Sequence, residues 1–484
     1  SLPEVRTAIA HIAGKRRLED GNLYGPGCWG IDGHAVVIVS GGRSAIWNGS
    51  KKLEPNTTPI CRGRVLDLSN SEEWVQFSRL ESYLRRASDP AWCKSTYEEF
   101  KEVLLRLMWR GPLDADICIG LIIATYVQTI WEWRPQVGIL GESGSGKTTI
   151  FGLLVKLWGK FCVSGEKPTE AGLRQSVGNS ARAVIIDEFE NDRHRPAVLE
   201  LIRTSSRGES SAILRGTQDQ RGKRFSLRHI CWVAAIEIGL SRAPDKNRFI
   251  QLELVKPPRE QQGLFRCPDS DYLDDMGHKL LAIAIEHVWR AKEMTKELRS
   301  GFNGVDDRIV ESYAVPVSMM AVACGLGVQG ARDFLGILFE SSDFEGVGVS
   351  DQEELIQAIL SAEVITQQRG ERTTVASILS GSCGVANAPE SLESHGITRV
   401  SLSGSRSRRD SSEWLLLDGI AMVPAIVKRK LLRGTHWEHQ SIDTILLRLR
   451  GSKRGRRKIN SVIQRTIDIP ILSTGLEVGQ EQDY

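Results

Sequence analysis

The chain has 484 residues, 41% of them hydrophobic and 25% charged, with a formal net charge of +3. That length suits roughly two to four domains of ~100–200 residues, and the composition supplies each with a core. The near-neutral balance excludes a chain that is basic throughout, so any cationic surface must be local. Nine cysteines are scattered with no CxxC pair and no zinc-ligand spacing to histidine, which reads as reduced thiols packed as small hydrophobes in a cytosol-like compartment. The longest apolar stretch, Ile117 to Ile130, contains Gln128 and is too short to span a bilayer. It reads as a buried helix, and no membrane contact is expected. The opening Ser1-Leu2-Pro3 reads as a trimmed tag scar or a cut from a longer protein.

In chain order, Ala35–Val39 predicts a strand between Gly33 and Gly41-Gly42. Apolar spacing predicts helices over Glu72–Arg86 and Ser95–Trp109. From 111 to 265 short apolar strands alternate with helices. Val137–Leu140 enters a Gly-rich loop, and Thr148–Trp158 is the helix after it. Ala183–Ile186 is a buried strand ending on Asp187-Glu188, and Arg195–Arg207 is helical. Ala212–Arg215 and Arg224–Leu227 flank Gly216 to Lys223 as a β-hairpin. Ile230–Ile236 and Phe249–Leu252 are further buried strands, so a mainly parallel sheet is expected. Residues 270–380 read as almost wholly helical, with Asp271–Lys296 the clearest case. The last stretch has a helix at Ile442–Leu449, a basic loop and the apolar run Val462–Ile471, which suits a winged-helix-like module. The expected fold class is α/β. It divides into an N-terminal α+β and helical unit (1–110), a parallel-sheet core holding the Gly-rich loop (111–265), a helical domain (266–385) and a C-terminal winged-helix-like basic module (386–484).

Gly141-Glu142-Ser143-Gly144-Ser145-Gly146-Lys147-Thr148 has the spacing Gly-x4-Gly-Lys-Thr between a strand and a helix, the context that gives this motif its meaning. Glycines permit a tight loop whose backbone N–H groups reach phosphate oxygens, and the helix N-terminus favours an anion. Lys147 is expected on the β- and γ-phosphates of ATP, the Thr148 hydroxyl on Mg²⁺, and Thr149 beside it. About 40 residues on, Asp187 at a strand end is placed to hold Mg²⁺. Glu188 is placed to orient or deprotonate water. Glu237 ends the strand Ile230–Ile236, at a position near the γ-phosphate where Asn or Thr is more usual. Arg248 precedes the last strand and could serve a neighbouring subunit as an arginine finger, with Arg242, Arg203 and Arg207 as alternates.

These motifs carry a resemblance. Trp133-Arg134-Pro135, Thr169 to Gln175, Ile186 to Glu190 and Arg215-Gly216-Thr217 are similar to the helicase part of phage and mobile-element primase-helicases, a superfamily 3-like group of the AAA+ class. The resemblance is densest from Trp131 to Leu254. It implies an AAA+ core and a homo-oligomeric ring, a hexamer, with ATP between subunits and single-stranded or forked DNA in the pore. It also implies a replication role in a bacterial or phage-infected cell and a primase or polymerase module as neighbour or partner. A DNA helicase is the leading expectation, and an AAA+ ATPase that loads or remodels DNA without processive unwinding is the alternative.

Two basic segments are candidate DNA contacts. The hairpin carries Arg215, Arg221, Lys223 and Arg224, and the resemblance puts such a hairpin in the channel. Arg450 to Lys458 is basic at six of nine positions, offering Lys453, Arg454, Arg456 and Arg457 to phosphates. Trp109, Trp131, Trp133 and Trp158 sit in apolar runs and read as packing residues. His11, His34, His194, His229 and His436 show no ligand spacing.

Overall fold

In the computed structural model the strand expected at Ala35–Val39 lies inside an antiparallel meander. Leu23–Tyr24 (β1) is followed by Gly27–Ile31 (β2), Ala35–Ser40 (β3), Arg43–Trp47 (β4) and Glu54–Asn56 (β5). The order is β2-β3-β4-β5, while β1 pairs with Arg64–Leu66 (β7), which also pairs with Ile60–Cys61 (β6). Every residue of β3 is buried. Val36 and Ile38 enter the main core, and Val37 and Val39 a second cluster with Tyr24 and Trp29. A strand covered on both faces shows no polar alternation.

The structure describes residues 23–476 apart from 51, 167, 190–193, 207–212, 217–221, 226, 237–246, 259, 261–264, 303–304, 342–350, 366–371, 383–387 and 403–416. It separates into two units, Ser1–Val347 and Gly348–Tyr484.

Three helices follow the meander: Phe77–Ala87 (α1), Pro90–Leu104 (α2) and Asp114–Tyr126 (α3). The first starts later than its apolar spacing suggests, because Trp74 N and Val75 N donate to Ser40 Oγ at 3.0 and 3.3 Å. The second starts at Pro90 because Asp89 caps it, accepting from Ala91 N. It ends five residues short of Trp109, which instead forms a bridge to Leu254. Helix α3 is buried from Ala115 to Tyr126, so an amphipathic period is absent.

Five parallel strands come next: Gln136–Leu140 (β8), Cys162–Glu166 (β9), Ala183–Asp187 (β10), Cys231–Ala235 (β13) and Phe249–Glu253 (β14), in the order β14-β8-β13-β10-β9. Between them run Lys147–Trp158 (α4), Glu170–Val177 (α5) and Arg195–Ser205 (α6). Ile213–Gly216 (β11) and Gly222–Phe225 (β12) pair as a separate antiparallel hairpin.

The unit closes with Ser270–Leu298 (α7), Asp307–Cys324 (α8) and Val328–Ser341 (α9). These helices share one continuous core with α1 to α4 and the sheet. Contacts are close where glycine allows it. A Cβ at Gly120 would lie 2.2 Å from Pro316 O, and one at Gly277 would lie 2.4 Å from Leu157 O. Residues 270–341 thus build the first unit's core, whereas the segment read from sequence as a helical domain ran to 385.

The second unit begins with Asp351–Ser361 (α10), a hairpin of Glu363–Ile365 (β15) and Arg372–Thr374 (β16), Val375–Leu379 (α11) and Ala388–Ser394 (α12). Ile397–Val400 (β17), Gly419–Met422 (β18), Lys453–Ile459 (β19) and Val462–Pro470 (β20) form an antiparallel sheet ordered β17-β18-β20-β19. Pro424–Lys430 (α13) and Ile442–Leu446 (α14) lie between β18 and β19 in sequence, and Val427 and Leu446 share a core with Ile420, Ile467 and Ile469. The run read as a basic loop is therefore largely strand. Its two-residue turn, Asn460-Ser461, has φ of 51° and 64°, the positive pair a type I′ hairpin needs. No helix among the described residues is long and apolar enough to cross a membrane.

Candidate functional site

Strand β8 runs into the Gly-rich loop, and the sheet order makes that loop the natural place for a ligand. From β8 the chain passes over two strands to the edge at β9, whereas β9, β10 and β13 all lead back the other way. In an open parallel sheet, ligands bind beyond the carboxyl ends of the strands where this reversal occurs. The crevice between β8 and β13 is that point.

The loop has the backbone the sequence suggests. Gly141, Gly144 and Gly146 have φ of 148°, 80° and 107°, values that L side chains rarely adopt. A Cβ at Gly141 would lie 2.4 Å from both Leu254 O and Ser145 Oγ. Gly146 is the N-cap of α4 and offers no side-chain cap, so the first-turn N–H groups have no partner within the helix. Ser145 is buried and its Oγ has no hydrogen-bond partner. Lys147 Nζ donates to Gly141 O and, at 3.0 Å, to Glu142 O. Glu142, Ser143, Gly144 and Thr148 are exposed, and Thr149 is half-buried. A loop that opens an uncapped helix N-terminus, with a folded-back ammonium and an orphaned hydroxyl, fits a polyphosphate.

Register brings the carboxylates to the same edge. Ile186 pairs with Val233, Val233 with Gly138, and Ala235 with Leu140. Asp187 and Glu188 are thereby level with the last residues of β13 and β8, two strand spacings from β8, or about 10 Å. Asp187 ends β10 half-buried, and its Oδ1 accepts from Glu188 N at 2.9 Å. Glu188 is exposed and has φ of 51°. Phe189 N then donates to Ala234 O at 2.8 Å, which fixes the turn on both sides of Glu188. A non-glycine residue held in the left-handed region is strained, and such strain concentrates at functional positions.

Other sequence candidates fall elsewhere. Arg248 is 7% exposed and precedes β14, where its carbonyl accepts from Gln136 N at 2.8 Å. That is the amino end of the sheet, opposite the loop, so the fold does not bring Arg248 to its own chain's Lys147. Arg203 pairs with Glu200 at 2.7 Å. Glu237, Arg242, Arg207 and Arg221 lie outside the described residues. Arg215 stands opposite Lys223, and Leu214 opposite Arg224, in the backbone register of the β11–β12 hairpin.

The motif around Arg134 is architectural. Arg134 is 1% exposed, its Nε donating to Ser205 O at 2.7 Å, while Gln136 Nε2 donates to Ser205 Oγ, Ser206 Oγ and His229 O. His229 is buried there, and burial, with Arg134 nearby, pushes its pKa down to about 3. The tryptophans pack: Trp131 and Trp158 are buried, Trp109 Nε1 donates to Leu104 O and Trp133 Nε1 to Ser312 Oγ. Thr169 caps α5 by accepting from Gly172 N, and Arg174 pairs with Glu170 at 3.1 Å.

Two basic assignments change. Arg457 lies on the opposite face of the β19–β20 hairpin from Arg456, and its Nε and Nη2 both donate to Asp468 Oδ2, at 2.9 and 2.7 Å. Asp468 is 1% exposed, so Arg457 is engaged by a buried carboxylate. Lys453, Arg454 and Arg456 are exposed. Sequence reasoning also missed Lys256. A Cβ at Gly144 would lie 3.7 Å from its Cε, so this cation lies against the tip of the loop. Its sequence signal is a lysine just after the last strand of the sheet, β14.

No protein-family model matches the chain, and no curated protein matches it. Among solved structures, an apo form of the NrS-1 C-terminal region is 11% identical, with 88% of this chain and 94% of that chain covered, at a TM-score of 0.34. A structure of JCV Helicase with a bound acetamide compound is 14% identical, with 52% and 74% covered, at a TM-score of 0.24. At these scores neither likeness carries an argument about this chain.

Proposed function

We propose that the chain is an AAA+ ATP hydrolase working as a ring-forming DNA helicase in replication, with the second unit as its winged-helix-like module. The observation that carries this reading is the shared edge of the parallel sheet. There the loop Gly141–Thr148 meets Asp187-Glu188, and Glu188 is held in a strained left-handed turn. Lys147 exchanges its loop carbonyls for β- and γ-phosphate oxygens, and the loop N–H groups hold the rest. Thr148 and Asp187 would hold Mg²⁺, which supplies charge neutralisation at the phosphates. Glu188 accepts a proton from water as the water oxygen bonds to the γ-phosphorus and the bridging β–γ bond breaks, leaving ADP and phosphate.

In a ring of identical subunits, a hexamer by resemblance, Arg248 would serve a neighbour's γ-phosphate. Its burial in the single chain requires a side-chain movement for that reach. Single-stranded or forked DNA would meet the β11–β12 hairpin.

Steady-state ATP turnover and strand displacement on forked duplexes of both polarities test the reading. Lys147→Ala should abolish turnover, and normal hydrolysis in that variant would remove the site. ATP turnover by the unaltered protein without displacement on either fork would replace the helicase by a loading or remodelling ATPase.

A further inference from the structure

The second unit carries a cleft that the ATP site does not use. It lies between α13, the segment 440–443 and the β19–β20 hairpin, and encloses about 1200 Å³. Small-ligand pockets typically hold ~300–1,000 Å³, so the cleft is large enough for a stretch of polymer.

Its construction follows from the register. The β20 side chains at 463, 465, 467 and 469 share one face. Ile467 and Ile469 are buried in the unit's core, whereas Arg465 and Ile463 are exposed. The hairpin therefore overhangs the helices, and its inner face turns from core to cleft wall. On that wall Arg456 stands directly opposite Arg465, and Arg454 opposite Ile467. Like charges facing each other across a strand pair are destabilising. Neither Arg456 nor Arg465 has an acidic partner among the described residues.

Lys428 faces them from α13, its Nζ donating to Gln440 O at 3.3 Å. Asp443 is the one acid lining the cleft among the described residues, and it accepts from Ser441 Oγ. The balance is four cations to one acid. Val423, Ile442 and Ile467 supply an apolar floor below the cations. The turn is pinned as well: Asn460 N donates to Glu393 Oε2 at 3.1 Å and Asn460 Nδ2 to Glu393 O at 2.9 Å. The overhang is thus preorganised.

We infer that this cleft binds an unpaired stretch of DNA, with phosphates on Lys428, Arg454, Arg456 and Arg465 and bases against the apolar floor. A duplex backbone alone would use the cations and leave the floor idle, while unpaired bases can bury their faces there. The inference rests on the reading of the chain as a DNA-acting protein, and it adds Lys428 and Arg465 while excluding Arg457.

The test is fluorescence anisotropy of the full chain, without nucleotide, on labelled oligothymidine of 20 residues, a duplex of equal length and an abasic strand, across a salt series. The double variant Arg456→Ala/Arg465→Ala should lower the salt-dependence slope on the single strand by about 1.4, at ~0.7 per lost phosphate contact. The unaltered protein should prefer oligothymidine to both other strands. An unchanged slope and affinity in the double variant would overturn the cleft. Equal binding of the abasic strand or of the duplex would overturn the seat for bases. DNA-free ATP turnover, measured alongside, should match the unaltered protein. Absent turnover in the unaltered protein with normal anisotropy results would defeat the motor reading and leave the cleft standing.

Discussion

Glu188 joins a catalytic expectation to a measurable strain, and replacing it separates the two. At φ of 51°, a residue with a Cβ loses about 1–2 kcal/mol relative to the right-handed region. Glycine removes that cost but gains about 0.4–1 kcal/mol of unfolded-state freedom. Comparing Glu188→Gly with Glu188→Ala cancels the lost carboxylate and leaves the backbone term. The glycine variant should be the more stable by about 0.5–1 kcal/mol, or ~1–2 °C in melting for a unit this large. Both variants should lose ATP turnover by ~10²–10⁴-fold, the usual contribution of a general base. Scanning fluorimetry and a coupled phosphate-release assay read the two effects. Equal midpoints for the two variants would refute the strain, and normal turnover in Glu188→Ala would refute the base.

Gly141→Ala sets a Cβ 2.4 Å from Leu254 O at φ of 148°, so it should destabilise by about 2–4 kcal/mol by chemical denaturation. Gly152→Ala in α4, with nothing within 4 Å, should stabilise by about 0.5–1 kcal/mol, and a loss there would contradict the packing. His229, with its folded pKa pushed down to about 3, stays neutral while the unfolded chain takes up a proton below ~6.5. Stability should therefore fall as pH drops from 6.5 toward 3, by up to ~1.4 kcal/mol per pH unit from this group. An equally steep decline in His229→Gln would dismiss it. Arg457→Ala leaves the buried Asp468 carboxylate without its half-exposed cation, so a loss of about 1.5–3 kcal/mol, the worth of hydrogen bonds to a charged group, is expected in the second unit's thermal transition. The same melting temperature as the unaltered protein would show that solvent and Thr466, whose Oγ1 donates to Asp468 Oδ1 at 2.8 Å, suffice.

The loop and Asp187-Glu188 were legible because local spacing alone specifies them: glycines where φ must be positive, and a carboxylate after four apolar residues. The parallel strands were legible for the same reason, each being a short apolar run. Partition was less so. Helices 270–341 belong with α1–α4 because Gly120 and Gly277 allow close approach to distant backbone, a contact no local pattern encodes. The basic run misled because alternation was hidden by its uniform charge. Only register separates Arg457, turned to Asp468, from Arg456, turned to the cleft. Arg248 carries a motif-like context, yet its burial depends on the amino end of the sheet, where Gln136 and Arg134 gather groups from far along the chain.

The tight seat of Gly277 on the last turn of α4 has a mechanical meaning. With Leu157 O so close to the α7 backbone, the helix that begins at the Gly-rich loop has no slack at its far end. The loop cannot be re-aimed by sliding α4 along its axis without dragging the whole α7 layer along. A displacement of the loop would then travel through the first unit as the turn of a stiff lever, with its fulcrum in the helix stack.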